Sequence, residues 1–284
     1  MALRFYKPTT PSRRKASVNL HTEVTKQEPE KSLLRPLPKR GGRNNQGKVT
    51  VRGRGGGHKR RYRLIDFRRT KDDMPATVVG IEYDPNRTSH VALLEYTDGT
   101  RRYILAPLGV TDGEQVLSSS SAVEPKPGNC MPLRHIPTGL TVHSIEFEPG
   151  KGGALCRSAG SGARLSNKEG RLATLVLPSG EIRKVAVECR ATIGQLDNTD
   201  HQNIKLGKAG RNRWRGRKPK VRGVAKDHAC HPLGGGEGRS KGGREPASAS
   251  GTKSKGGRTR PRNKWTDDRI LRRRKSRRYG QLKL

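Results

Sequence analysis

Apolar and polar positions alternate only in the middle of the chain. Val79, Ile81 and Tyr83 are separated by Gly80 and Glu82, the period of two expected of a half-buried strand. Residues 91–96 and 101–106 form two further apolar runs around Asp98-Gly99. Both turn residues tolerate positive φ, so the pattern predicts a hairpin. Strand signals return at Thr141–Phe147, 171–177 and 181–187, the last two joined by Pro178-Ser179-Gly180, and fade near Cys189–Leu196. Short strands at this spacing predict two small barrels. A proline-rich stretch from Glu124-Pro125-Lys126-Pro127-Gly128 to Ile136-Pro137 marks the junction between them.

The flanks lack this order. Residues 1–60 show neither a helical nor a strand period, and the same holds beyond residue 200. Two short helical pieces are expected in the second flank. One is Leu206–Trp214; the other follows Thr266, whose hydroxyl can cap a turn carrying Asp267 and Asp268. The expected division is an extension over 1–60, barrels over 61–124 and 125–200, and a second extension over 201–284.

Charge follows the same boundaries. Residues 1–63 hold 18 Lys/Arg against 3 Asp/Glu, residues 201–284 hold 27 against 5, and residues 64–200 hold 16 against 17. The net charge of +36 therefore lies in the two flanks. A near-neutral centre can bury a core, whereas flanks this cationic repel themselves until a polyanion neutralises them. Nucleic acid is the polyanion that fits. With 35 Gly, 18 Pro and 4% aromatic residues, the flanks read as extended segments that order on their ligand. Cys130, Cys156, Cys189 and Cys230 form no Cys-x-x-Cys pair, which argues against a disulfide scaffold or a zinc ribbon and for a reducing compartment. No apolar run approaches the ~18 residues of a membrane span, and no secretory leader is visible.

Several motifs have competing readings. Gly42-Arg43-Asn44-Asn45-Gln46-Gly47-Lys48-Val49 has the spacing of a phosphate-binding loop. Val49 stands where a Ser or Thr should reach magnesium, and no strand precedes the first glycine. Arg52-Gly53-Arg54-Gly55-Gly56-Gly57-His58-Lys59-Arg60-Arg61 reads instead as backbone recognition, with glycines allowing close approach and arginines donating to phosphates. Trp214 sits among Lys208, Arg211, Arg213, Arg215, Arg217 and Lys218, where it either stacks on an unpaired base or fills a core. His228, Cys230 and His231 have no fourth metal ligand nearby and no third residue to orient a nucleophile–base pair.

At these residues the chain resembles one family. Gly41-Gly42-Arg43-Asn44-Asn45, Gly55-Gly56-Gly57-His58-Lys59, Glu82-Tyr83-Asp84-Pro85-Asn86-Arg87 and Arg102-Tyr103-Ile104-Leu105-Ala106-Pro107 are similar to its signatures. So are Pro149-Gly150-Lys151-Gly152-Gly153, Arg157-Ser158-Ala159-Gly160, Leu206-Gly207-Lys208-Ala209-Gly210 and Gly234-Gly235-Gly236-Glu237-Gly238-Arg239. The family is the second protein of the large ribosomal subunit, in its bacterial and organellar form. The resemblance implies an OB-like barrel followed by an SH3-like barrel, with basic extensions threading into rRNA. It also implies primary rRNA binding during assembly, a part in joining the subunits, and an extension toward the peptidyl-transferase region. Its implied partners are large-subunit rRNA, neighbouring ribosomal proteins and the small subunit, with no membrane and no stable homo-oligomer. The implied location is the ribosome of the cytoplasm, or of an organellar stroma or matrix.

The resemblance and the charge pattern together assign RNA contact to Arg43, Arg52, Arg54, His58, Lys59, Arg60 and Arg61 in the first flank. On the body the assigned residues are Arg68, Arg69, Arg87, Lys151 and Arg157. In the second flank they are Lys208, Arg211, Arg213, Trp214, Arg215, Arg217, Arg222, His231 and Arg239, then Arg258, Arg260, Arg262, Arg272, Arg273 and Arg274. No catalytic residue, metal ligand or cofactor is expected; structural magnesium at the RNA interface is the one ion left open. The family usually carries Asp-His-Pro-His before the last glycine triplet, where this chain has Cys230-His231-Pro232-Leu233. Without the carboxylate and the second histidine, His231 is expected to contact RNA rather than to act as an acid or base. Ala247-Ser248-Ala249-Ser250-Gly251 likewise replaces the family's Thr-Pro-Trp-Gly, and Gly53 replaces a histidine before the first triplet.

Overall fold

In a computed structural model, the structure describes residues 3–240, 243–255, 260–261, 263–276 and 280–281. It is mainly β. Four short strands precede the barrels: β1 (Leu3–Phe5) pairs with β2 (Ser17–Asn19), and β3 (Leu34–Pro36) with β4 (Arg61–Arg63). Three-residue strands are too short to show a period, which is why residues 1–60 look featureless in the sequence.

The first barrel, OB-like, is built from β5 (Ala76–Glu82), β6 (Val91–Tyr96), β7 (Arg101–Leu105) and β8 (Gln115–Val116), in the order β7-β6-β5-β8. The β6–β7 hairpin turns at Asp98-Gly99 as the sequence predicts. Gly99 has φ +75°, and Asp98 Oδ1 accepts the Thr100 amide at 3.0 Å. The expected parity of β5 fails. A bulge between Val78 and Gly80 resets the register against β6, so Ala76, Val78 and Ile81 are buried while Tyr83 lies beyond the strand and is exposed. One extra residue in a bulge moves every later side chain to the opposite face. Glu82 is buried as a result. It accepts the Tyr103 hydroxyl at 2.7 Å, and burial holds its carboxyl above the usual range.

The second barrel, SH3-like, contains β9 (Cys130–Pro132), β10 (Thr141–His143), β11 (Ala163–Glu169), β12 (Leu172–Val176), β13 (Ile182–Ala186) and β14 (Arg190–Ile193). Its core gathers Met131, Leu133, Ile136, Val142, Ile145, Leu165, Leu175 and Val185. His143 lies inside; its Nδ1–H donates to the Gly194 carbonyl at 3.0 Å, and burial pushes its pKa down to about 4, so the ring is neutral. A seventh strand, β15 (Ile270–Arg272), adds to the outer edge of β13. The segment after Thr266 is therefore two turns and a strand instead of the expected helix. The unpaired edge of β13 offers ladder hydrogen bonds and a buried berth for Ile270, which outweigh a weak helix start.

The two barrels are stitched together. Arg190 donates to both oxygens of Asp72, at 2.7 and 2.6 Å, and to the Arg69 carbonyl at 2.9 Å. Leu196, from the end of the second barrel, packs with Val91, Leu93, Tyr103 and Leu105 of the first. These parts group with Met1–Leu37 and Thr266–Leu284 in one compact unit; Pro38–His58 and Ala209–Trp265 form another. No helix among the described residues is long and apolar enough to cross a membrane. All four cysteines are free, with Cys130 and Cys189 buried and Cys230 exposed.

Candidate nucleic-acid interface

In the second unit, the glycine-rich run of the first flank lies alongside the cationic run of the second. The Gly55 amide donates to the Gly216 carbonyl at 3.0 Å, His58 to Trp214 at 2.9 Å and Lys218 to Gly53 at 2.9 Å. Gly57 makes this approach possible: a Cβ there would lie 2.7 Å from the Gly216 nitrogen, and its φ is +85°. The single-turn helix α1 (Ala209–Trp214) falls within the predicted segment but begins three residues later. The pairing brings Arg52, Arg54, Arg213, Arg217, Lys218 and Lys220 around one concavity whose lining, among the described residues, includes no carboxylate. Gathered cations without an internal counter-charge favour a bound polyanion. Gly57→Ala is expected to break this backbone pairing and to weaken RNA binding at least several-fold, read by filter binding, while the thermal melting of the barrels stays unchanged.

Residues 42–49 close into a tight loop. Arg43 bridges Val49, and Asn44 Oδ1 accepts the amides of Gln46 and Lys48 at 3.0 and 2.9 Å. This is no strand–loop–helix phosphate site. Arg43, Arg52, Arg54 and His58 are exposed. Trp214 is 58% exposed, which removes the core alternative.

On the first unit a different arrangement appears. Phe67 carries the guanidinium carbon of Arg157 at 4.6 Å from its ring centre and that of Arg87 at 5.4 Å. Arg87 also lies over Tyr62, at 5.6 Å, and is held by Asp84 Oδ2 at 3.0 Å. Arg157 donates to the Gly153 carbonyl at 3.2 Å and is otherwise exposed. Both arginines line one open groove together with Asn86, Thr88, Ser158 and Ser179. Stacking on an aromatic ring fixes each guanidinium plane while leaving donors free for a phosphate. Tyr62 and Phe67 were not marked as site residues by sequence reasoning; an aromatic beside a basic run is the signal that points to them.

The remaining assigned residues scatter. Lys59, Arg61, Arg68, Lys208, Arg215, Arg222, Arg239, Arg272 and Arg274 are exposed, and Arg60, Arg211 and Arg260 are half-buried. Lys151 is paired with Glu148, and Arg273 lies 3.7 Å from Glu181. Arg69 is buried; it donates to Ser118 Oγ at 2.8 Å and to the Gly128 carbonyl at 3.3 Å, so it braces the barrels. The His231 ring packs against Gly223, and its Nδ1 accepts the Leu233 amide at 3.1 Å. Arg258 and Arg262 lie outside the described residues. Lys218 and Lys220, absent from the assignment, line the concavity and continue the alternating cations of 211–217.

Comparison with known sequences decides the family. The profile described as "Ribosomal Proteins L2, RNA binding N-terminal domain" matches residues 30–118, and "Ribosomal Proteins L2, C-terminal domain" matches residues 126–251. The large ribosomal subunit protein uL2 of Rhodopirellula baltica is 57% identical over 285 residues, covering 100% of this chain and 99% of that protein. The chain belongs to the ribosomal L2 family. As an L2 protein it is a structural constituent of the large ribosomal subunit and not an enzyme. Arg87 and Phe67 lie in the part that matches the L2 RNA-binding profile, and Arg157, across the groove, lies in the part that matches the C-terminal profile.

Proposed function

We propose that this L2 protein is a primary binder of large-subunit rRNA, holding it through the Arg87–Phe67–Arg157 groove and the acid-free concavity at Arg52–Arg54 and Arg213–Lys220. The concavity carries the reading: six cations converge there with no carboxylate in the lining. In this reading residues 61–124 and 125–200 rest on the RNA surface, while 1–60 and 201–284 fill gaps between RNA helices. The protein acts in the cytoplasm as part of the ribosome. It supports large-subunit assembly, subunit association and the peptidyl-transferase region, beside neighbouring ribosomal proteins and against the small subunit. The resemblance of the Gly234–Arg239 stretch to the family loop supports the last of these roles.

Phosphate contacts dominate such an interface. For about ten neutralised phosphates the log–log salt slope is expected near −7 to −9. Filter binding to large-subunit rRNA across a salt series, with duplex DNA as competitor at matched salt, tests the reading. Equal affinity for the two polymers would make the protein a general polyanion binder and overturn the proposal. Chemical footprinting of the rRNA then identifies the helices held.

A further inference from the structure

We infer that Glu23, His90 and Asp197 form a binding site for a single divalent transition-metal ion of the zinc class. The inference is independent of RNA binding. The three residues come from three places in the chain, and their ligand atoms lie within 4.8 Å of one another. His90 is 1% exposed and Asp197 3%, whereas the Glu23 side chain is 38% exposed and leaves one side open to water.

Each side chain is already oriented. His90 Nδ1 faces Asp197 Oδ2 at 2.5 Å and Glu23 Oε2 at 3.4 Å. Its other nitrogen, Nε2, meets His21 Nδ1 at 2.9 Å. Asp197 Oδ1 accepts the His90 amide at 3.1 Å, and Glu23 Oε2 accepts the Asn198 amide at 3.3 Å. Asn198 is fixed in turn: its Nδ2 donates to the Thr88 carbonyl at 2.6 Å, and its Oδ1 accepts from Asn19 at 2.7 Å. Ligands held by such outer partners are the usual construction of a metal site, including the second ring nitrogen of a ligating histidine.

The charge arrangement points the same way. Two carboxylates converge on one ring nitrogen, which carries at most one proton. That proton lies closer to Asp197, at 2.5 Å, than to Glu23, at 3.4 Å, so the two carboxylates share it unequally. A divalent cation at this point satisfies both carboxylates and the nitrogen together. One imidazole with two carboxylates suits zinc, cobalt or manganese better than calcium or magnesium, which prefer oxygen alone.

With metal–ligand bonds of about 2.0–2.1 Å, a tetrahedral site has ligand–ligand edges of ~3.3 Å. The Glu23–His90 edge already has that length, and the His90–Asp197 edge opens by roughly 0.8 Å to match it. On binding, the His90 Nδ1 proton leaves to water. The proton between the rings moves from His21 Nδ1 to His90 Nε2, and His21 Nε2 takes one from water, so the count of ring protons is unchanged. The ion ties the segment around His21–Thr25 to the start of β6 and to the chain leaving the second barrel.

Titration of the full chain with zinc, followed by dialysis and elemental analysis, tests the site. One zinc per chain is expected, together with a raised melting temperature. Cobalt(II) in its place gives the visible d–d spectrum of a low-coordinate nitrogen–oxygen site. Glu23→Gln, at a half-exposed position and checked for unchanged circular dichroism, is expected to weaken zinc binding on the order of 100-fold. A triple variant of the exposed loop, His228→Asn, Cys230→Ser and His231→Asn, is expected to retain the ion. Absence of saturable binding overturns the inference, as does retention by Glu23→Gln or loss in the loop variant.

Discussion

Replacing both Arg87 and Arg157 with alanine lowers affinity for large-subunit rRNA on the order of 100-fold or more. A hydrogen bond to a charged group contributes about 1.5–3 kcal/mol, and each variant removes at least one such donor from the groove. The salt slope flattens by about 1.5 units, since each lost phosphate contact removes 0.7–0.9. Arg157→Ala is the cleaner single change, because Arg157 is exposed and contacts the Gly153 carbonyl and the Phe67 ring. Arg87→Ala also removes the 3.0 Å contact to buried Asp84, which then faces Arg63 at 3.8 Å. Part of its effect therefore appears as a lower melting temperature. Filter binding paired with thermal melting separates the two losses, and undiminished binding by the double variant would remove the groove from the interface.

Leu93→Ala destabilises the first unit by about 3–5 kcal/mol, the range for emptying a buried leucine site that cannot collapse. Leu93 is fully buried among Val91, Tyr103, Leu105 and Leu196, with Ile65, Phe67 and Val79 packed around them. The cavity opens where residues of both barrels meet, so two-state urea unfolding is expected to shift its midpoint for the whole unit together. A change limited to one of two resolved transitions would show that the barrels unfold separately.

The parts legible in the sequence are those where local chemistry and tertiary structure agree. Asp98-Gly99 announces its hairpin because the turn demands positive φ and the flanking runs are apolar. Pro178-Ser179-Gly180 does the same between β12 and β13. The bulge in β5 is invisible because nothing in Val78-Val79-Gly80 says which residue slips out of register, and Tyr83 is misplaced with it. The segment after Thr266 has a sound helix start in Asp267 and Asp268, yet a distant sheet edge claims it. At the proposed RNA interface, clustered arginines are plain to see, but exposure is not. Arg69 shares its sequence context with Arg68 and ends up inside, braced against Ser118. The stacking of Arg87 and Arg157 on one phenylalanine joins residues twenty and ninety positions from it. The Glu23–His90–Asp197 cluster spans still longer separations, and no spacing rule reaches that far.

The pairing of β15 with β13 has a consequence for synthesis on the ribosome. The strand that completes the second barrel is made more than eighty residues after the strand it joins. Until it emerges, the nascent protein carries an open ladder at Ile182–Ala186 and a vacant berth for Ile270. A chain released before Thr266 retains that sticky border, so early termination favours aggregation through strand addition over a merely shortened but soluble product.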